Sequence, residues 1–440
     1  MGGDLSFGDA LRWLDGHINL ERNSHAEFPL PSLAKMHEVL RMMGEPHRSY
    51  PVIHVTGTNG KGSTSRMITA LLMAHGLRVG TYVSPHLTRI NERILFGLEQ
   101  ISDDDFSSEL QRLKLIEEQS GNILSWFELI TAASFSHFDA IGVDVAVIEV
   151  GMGGVWDATN VIVGDVAVVT NVALDHADVL GPELSDIARE KSGIIKHDSA
   201  AVLGVDQEDL LEIFLARPSR SVTVLGKDLQ LRSNVQAIGG RVVSVRSSRA
   251  TYDQIFMPLH GAHQGQNAAL AIGAAEEFFG RALDQDVVRA AFERVTSPGR
   301  MEIVSRSPLA ILDAAHNPAG MAAAKASILS DFSSIARWHL VVSMLSGRDP
   351  MQMFLAIKND KIASVSISET RSFRAMPVQE ILNGAEAAGI PCQRFETVTD
   401  ALDAAIQLCR EGEAVLICGS IYTVAEAREQ LLTKKNLGAS

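Results

Sequence analysis

The residues best suited to chemistry lie between Val52 and Thr64, which read Val-Ile-His-Val-Thr-Gly-Thr-Asn-Gly-Lys-Gly-Ser-Thr. Gly57, Gly60 and Gly62 allow a tight turn that no side chain obstructs. Across Thr58, Asn59, Gly60, Lys61, Gly62 and Ser63 such a turn aims backbone N–H groups and a helix N-terminus at a phosphate. Lys61 adds a mobile positive charge for the outer phosphates. The common form of this motif has Ser or Thr directly after the lysine, whereas here Gly62 precedes Ser63. The competing reading is a glycine-rich turn beside a solvated lysine.

Further candidates stand at the ends of apolar runs. Glu149 closes Val143–Val150, where an unpaired charge would be costly; it is a ligand for Mg²⁺ or one half of a salt bridge. Ser84 offers a hydroxyl ligand or a turn, and His176 follows Asp175 at another such end. Lys191 is a solvated helical lysine or, if its neutral form is favoured, an amine that takes up CO₂ as a carbamate and so becomes a carboxylate for a metal. Asn267 could bond an adenine edge or cap a turn. Arg300 could reach a phosphate across an interdomain cleft or lie on the surface. Asp313 and His316 end the run Ile311-Leu-Asp-Ala-Ala-His316, and Asp313 would hold a ribose or cap the next helix.

Positioning these groups needs an α/β fold. Val52–Val55 is a buried strand, and the apolar spacing of Met67, Ile68, Leu71 and Leu72 makes the following stretch helical. A second strand is expected at 78–83, those at 143–150 and 166–170 are nearly all apolar, as central parallel strands are, and ligands of open α/β sheets bind at the strands' carboxyl ends. Helices are expected at 5–14, at 32–43 with Ser32 as cap, and at 103–118, 125–139, 183–195, 262–279 and 284–295. Residues 221–257 alternate as small antiparallel strands at a sheet edge. Thr296-Ser-Pro-Gly299 is a turn cluster, after which the α/β rhythm restarts with strands at 309–313, 338–345, 361–368 and 413–419. Helices at 318–329, 350–358, 377–387, 398–411 and 421–433 alternate with them. The expectation is a mostly parallel, P-loop NTPase-like domain over 1–297 and a smaller Rossmann-like α/β domain over 298–440.

Composition narrows the function. The chain has 440 residues, too many for one typical core, and 46% hydrophobic content with 21% charge fits a soluble globular protein. A net charge of −14 excludes a general nucleic-acid surface, so any anionic ligand needs local cations. Cys392, Cys409 and Cys418 form no metal or disulfide pattern, which suits a reducing, cytoplasmic compartment. No secretory signal or membrane-length apolar run is expected.

Taken together, these segments resemble the folylpolyglutamate synthase/dihydrofolate synthase family, within the Mur-type ATP-dependent amide ligases. The resemblance is carried by Thr56–Ser63, Ser84-Pro-His-Leu87, Asn91-Glu-Arg-Ile94, Glu149-Val-Gly-Met-Gly-Gly154, Asp157-Ala-Thr-Asn160 and Leu174-Asp-His176. It continues through Glu190-Lys-Ser-Gly-Ile194, His263-Gln264, Asn267, Pro298-Gly-Arg300, Asp313–Pro318 and Gly419-Ser-Ile-Tyr422. The segments keep the family's order and cover nearly the whole chain. The resemblance implies that Thr58 to Lys61, with Gly62 and Ser63, hold ATP phosphates. It implies that Ser84, Glu149 and His176 ligate Mg²⁺, and that Asn267, Arg300 and Asp313 complete the ATP site. Lys191 matches the family's carbamylated lysine, and Lys61, Lys191 and His316 are expected to be catalytic. Ser125, Trp126, Phe127 and Glu128, with Trp156, Asp157 and Ala158, match pterin-contacting segments; Val155-Trp156 departs from the family's Arg-Leu there.

The implied reaction is ATP-dependent ligation of L-glutamate to dihydropteroate or a reduced folate through an acyl phosphate, by a monomer with no nucleic-acid or membrane partner. One rival is a cell-wall Mur ligase, which carries an extra N-terminal domain for the UDP group; roughly 50 residues before the phosphate loop are too few for that. The other is a P-loop regulator without ligase activity, which would need no second nucleotide-fold domain.

Overall fold

The computed structural model describes residues 5–19, 21 and 33–437, except the side chains of 178 and 434–437. The chain divides into two compact units, one of residues 1–234, 242–257 and 265–295 and one of residues 235–241, 258–264 and 296–440.

The first unit is built on an eight-stranded sheet ordered β4-β3-β2-β5-β1-β6-β7-β8. Its strands are β1 (Val52–Thr56), β2 (Val79–Tyr82), β3 (Ile94–Phe96), β4 (Glu99–Gln100), β5 (Val145–Glu149), β6 (Val166–Val169), β7 (Ala200–Leu203) and β8 (Ser221–Val224). β1 lies between β5 and β6, with His54 opposite Ile148 on one side and Ala167 on the other. Every residue of β1, β5 and β6 is buried, because helices cover both faces of these apolar runs. β3 alone runs against the other strands, pairing antiparallel with both β2 and β4.

Helix Lys61–Ala74 leaves β1 directly, and Gly60 at its cap has φ 84. Helix Trp126–Ile141 starts on a capping box in which Ser125 and Glu128 satisfy each other's backbone amides. The helix expected at 32–43 runs Leu33–Met42; the proposed cap Ser32 lies outside the described residues.

The alternating stretch 221–257 splits in two. β8 joins the large sheet in parallel beside β7, against the antiparallel expectation. β9 (Gln230–Ala237), β10 (Gly240–Arg246) and β11 (Thr251–Met257) form a separate three-stranded sheet.

The second unit holds a six-stranded sheet ordered β12-β13-β17-β14-β15-β16. These are β12 (Glu302–Arg306), β13 (Leu309–Leu312), β14 (Arg337–Val342), β15 (Ile362–Ile367), β16 (Gln393–Arg394) and β17 (Glu413–Cys418). All pair in parallel except β12, which runs antiparallel to β13. Segments 235–241 and 258–264 group with this unit through Asp331. Its side chain pairs with Arg241 and accepts from the amide of Gly261 at 2.7 Å, and its carbonyl accepts from Gln236 at 2.7 Å.

Candidate active site

The phosphate-loop segment is pinned from the exit of β6. Thr58 N–H donates to the Asn171 carbonyl at 3.0 Å, and Asn59 N–H donates to Asn171 Oδ1 at 3.0 Å. Thr170 Oγ1 and Asn171 Nδ2 both donate to the Asn59 carbonyl, at 2.7 and 3.0 Å. Thr58 Oγ1 donates to the Ala173 carbonyl at 3.1 Å and accepts from the Ala173 amide at 3.0 Å. The hydroxyl of Thr58 and the side chain of Asn171 therefore set the loop's shape. Gly57 has φ 148, and a Cβ there would sit 1.8 Å from Thr170 Oγ1, so only glycine admits this approach.

Beyond the loop, helix Lys61–Ala74 begins with N–H groups that have no acceptor in their own first turn, the arrangement that suits an anion. Asn267, on helix His263–Phe279, reaches this point. A Cβ on Gly60 would lie 2.6 Å from its Oδ1. Glu149, 3% exposed at the end of β5, reaches the same turn, where a Cβ on Gly62 would lie 3.3 Å from its Oε2. Its carboxylate also accepts from the Ser84 amide at 3.2 Å. Ser84 and Glu149 are thus neighbours beside the helix start. His176 stands past β6 with backbone φ 51, its Nε2 3.7 Å from Asp175 Oδ1. Among the described residues no three His, Cys, Asp or Glu groups form a metal cage. Mg²⁺ does not need one, since it keeps waters and phosphate oxygens and takes one or two carboxylates. A buried carboxylate with a hydroxyl-bearing neighbour at a phosphate-type helix start fits that ion.

Two lysines converge on one carbonyl. Lys61 Nζ donates to the carbonyls of Gly57 and Thr58 at 3.1 and 3.3 Å, and Lys191 Nζ donates to Gly57 O at 3.0 Å. Lys191 is 4% exposed. Burial, and then the charge of Lys61, push its ammonium down to about 7, against the opposing pull of Asp175, Asp157 and Glu190. The helix that carries it, Leu184–Ser192, lies so close to the Gly151–Asn160 loop that a Cβ on Gly154 would be 2.4 Å from the Glu190 carbonyl. The solvated-lysine reading of Lys191 is therefore wrong for this fold.

The segments expected to touch a pterin meet at Gly151. A Cβ there would lie 2.5 Å from Phe127 Cζ and 3.1 Å from Asp157 Oδ2. Asp157 accepts from the amides of Met152 and Thr159, each at 2.9 Å. Burial raises its carboxyl above the ordinary value against the opposing effect of these bonds. Ala158 is buried beside it, and Trp156 packs toward Gly153. Trp126 is buried and donates to Asp15 Oδ1 at 3.2 Å. Sequence reading gave no role to the group around it. The guanidinium of Arg93 sits 4.8 Å over the Trp126 ring, bonds His86 Nδ1 at 2.9 Å and pairs bidentately with Glu21 at 2.9 and 2.6 Å. Arg93 lies inside a quoted segment, but nothing local signals partners 72 residues away.

In the second unit Asp313 neither caps a helix nor lies exposed. It accepts from the amides of Met301 and Ala315 at 2.9 Å each, while Asn317 caps helix Pro318–Ser330. Arg300 follows Gly299 in the turn that Asp313 ties down, its amide bonded to the Ser297 carbonyl. His316 Nδ1 lies 2.8 Å from the Ala314 carbonyl, which makes that nitrogen the donor.

Comparison with known proteins places the chain in a family. The Mur ligase middle domain family matches residues 55–275, and the Mur ligase, glutamate ligase domain family matches residues 299–421. A dihydrofolate synthase/folylpolyglutamate synthase of Mycobacterium tuberculosis is 38% identical, covering 90% of this chain and 89% of its own. The protein of that name from Escherichia coli is 32% identical over 88% of each. Among solved structures, Mycobacterium tuberculosis folylpolyglutamate synthase complexed with ADP superposes with a TM-score of 0.90 at 36% identity, covering 97% of this chain and 98% of that one. E. coli FolC in complex with DHPP and ADP gives 0.86 at 28%, covering 97% and 98%.

Proposed function

We propose, from the premise that this chain belongs to the Mur ligase family and within it to the dihydrofolate synthase/folylpolyglutamate synthases, that it is an ATP-dependent ligase. It joins L-glutamate to the carboxylate of dihydropteroate, of a reduced folate, or of both. The observation that carries the reading is the convergence of Lys61 and Lys191 on the Gly57 carbonyl, beside Glu149 and Ser84 at the helix start.

A carboxylate resists an amine because it is anionic and lacks a leaving group. One of its oxygens attacks the γ-phosphorus of ATP; the bond to the β–γ bridging oxygen breaks, and ADP leaves an acyl phosphate. The amino nitrogen of glutamate then attacks the acyl carbon. Inorganic phosphate departs with the C–O bonding pair, and the nitrogen loses a proton. The protein's part is positioning and charge neutralisation. Lys61 and the first N–H groups of its helix hold phosphate oxygens. Ser84, Glu149 and His176 would hold Mg²⁺, which supplies further neutralisation of the phosphates. Lys191, once carbamylated, becomes a carboxylate beside them. Asn267 holds the adenine, and Arg300 and Asp313 bind the nucleotide from residues 298–440, the part assigned to glutamate ligation. His316, whose Nδ1 donates to the Ala314 carbonyl, is the third residue to which a catalytic role is given. Ser125, Trp126, Phe127 and Glu128, with Trp156, Asp157 and Ala158, contact the pterin, the Ser125–Glu128 capping box holding Phe127 in place.

The same reading takes the protein to be a cytoplasmic monomer. The three free cysteines support that compartment, and among the described residues no helix is long and apolar enough to cross a membrane. The test is ADP release with dihydropteroate or tetrahydrofolate, with and without glutamate. Release should need both the pterin acid and glutamate, and Lys61→Ala should abolish it. Turnover indifferent to glutamate, or unchanged in the variant, overturns the assignment.

A further inference from the structure

His54 lies in the middle of β1, two residues before the phosphate loop, and is fully buried. Its Nε2 is 2.9 Å from Thr159 Oγ1. Thr159 Oγ1 in turn donates to Asp157 Oδ1 at 2.6 Å. A hydroxyl has one hydrogen, and this one is committed to the carboxylate, so Thr159 must accept from His54. The imidazole is therefore the neutral Nε2–H tautomer. Burial, with Lys196 nearby, pushes its pKa down to about 3, which keeps that form at working pH.

The other ring nitrogen, Nδ1, is buried with no hydrogen-bond partner. A buried orphan of this kind weakens the fold, and an apolar side chain of similar size would not incur that cost. Asp157 continues the chain of bonds into the glycine loop by accepting from Met152 N–H at 2.9 Å, three residues after Glu149.

We infer that His54 is a positioning residue for the acid substrate: through Thr159 it fixes the rotamer of Asp157 and, with it, the Gly151–Asn160 loop against the strand that feeds the phosphate loop. The inference rests on the reading above that this loop contacts the pterin. His54 touches neither substrate and acts only through Thr159 and Asp157.

The experiment measures KM for the pterin acid and for ATP separately in His54→Leu, His54→Gln, Thr159→Val and Asp157→Asn, together with Tm and the ¹⁵N resonances of the wild-type histidines. His54→Leu should raise KM for the pterin acid about tenfold, as expected for losing one orienting hydrogen bond. KM for ATP should stay within about twofold, and Tm should not fall, because the orphaned Nδ1 is gone. His54→Gln, whose amide can donate to Thr159, should restore most of the effect, and Thr159→Val should reproduce the leucine variant. The resonances should show an Nε2–H imidazole that stays neutral down to pH 5.

A leucine variant with unchanged KM for the acid, while Asp157→Asn raises it, overturns the positioning role and leaves the loop's substrate role standing. Asp157→Asn with unchanged KM overturns both. A uniform loss in kcat and both KM values marks a structural residue and overturns the inference, as does an Nδ1–H tautomer. If His54→Leu does not fold, Thr159→Val and the resonances decide.

Discussion

Replacing Lys191 with methionine should make the protein more stable and inactive, and the pH dependence of the gain follows from the structure. Lys191 is 4% exposed, and its ammonium is pushed from 10.5 down to about 7, chiefly by burial. The unfolded chain keeps the ordinary value. Between those two pH values the unfolded chain binds a proton that the folded chain refuses. Stability therefore falls as pH drops from 10.5 to about 7 and is level below that. Three and a half pH units at about 1.4 kcal/mol each give about 5 kcal/mol at the low-pH plateau and about 4 kcal/mol at pH 7.5. Methionine removes this cost and loses the bond to Gly57 O, about 1 kcal/mol. Urea unfolding in CO₂-free buffer should thus show Lys191→Met ahead by about 3 kcal/mol at pH 7.5, with the advantage gone near pH 10.5. A difference that stays flat across this range refutes the reasoning.

The same lysine should respond to CO₂. With a value of about 7, roughly three-quarters of it is neutral at pH 7.5, against about 0.1% of an ordinary lysine. The neutral amine adds to carbon dioxide and loses one proton, leaving a carbamate anion. Bicarbonate should therefore raise both activity and stability of the wild type and leave Lys191→Met unmoved, since a modification confined to the folded state shifts the folding equilibrium. A ¹³C carbamate resonance from labelled bicarbonate, present in the wild type and absent in the variant, identifies the product.

Two further substitutions test the supports of the site. Gly57→Ala places a methyl group 1.8 Å from Thr170 Oγ1 at φ 148, so the loop must shift by an ångström or more; ADP release should drop about 100-fold, and near-normal release would show the loop is not held as described. Arg93→Ala removes the bidentate pair with Glu21, the bond to His86 Nδ1 and the cation over Trp126. It should cost about 2–3 kcal/mol in urea unfolding, since Glu21 stays partly exposed to water, with Arg93→Lys recovering little because an ammonium cannot make the bidentate pair.

How far the molecule could be read from its sequence follows from where each signal lies. β1, β5 and β6 are apolar throughout because both faces are covered, so a pattern over a few residues suffices to place them. β8 and β12 escape that logic. Both are edge strands with half-buried residues, and partial burial gives an alternation that does not reveal which neighbour the strand joins or in which direction. The glycine loop, Glu149 and Lys191 sit in recognisable segments. The groups that hold them do not: Thr170 and Asn171 close on Asn59 from 111 and 112 residues away, and nothing in either stretch alone predicts the meeting.

Residues with one chemical identity also do two jobs here. Ser125 and Glu128 read as substrate contacts by resemblance, and their bonds make them a helix cap. The two descriptions are compatible, because the cap fixes where helix Trp126–Ile141 begins and so sets Phe127 over Gly151, where Asp157 also arrives. Asp157 has the same double character, tying Met152 and Thr159 while standing at that junction. A wall built from caps and buried carboxylates resists displacement, because moving any member leaves a buried polar group unpaired. Rigidity of this kind is what a two-step ligation demands: the acyl carbon must stay within bonding distance of its second nucleophile after the first product has left, and a wall free to relax between the steps would expose the acyl phosphate to water.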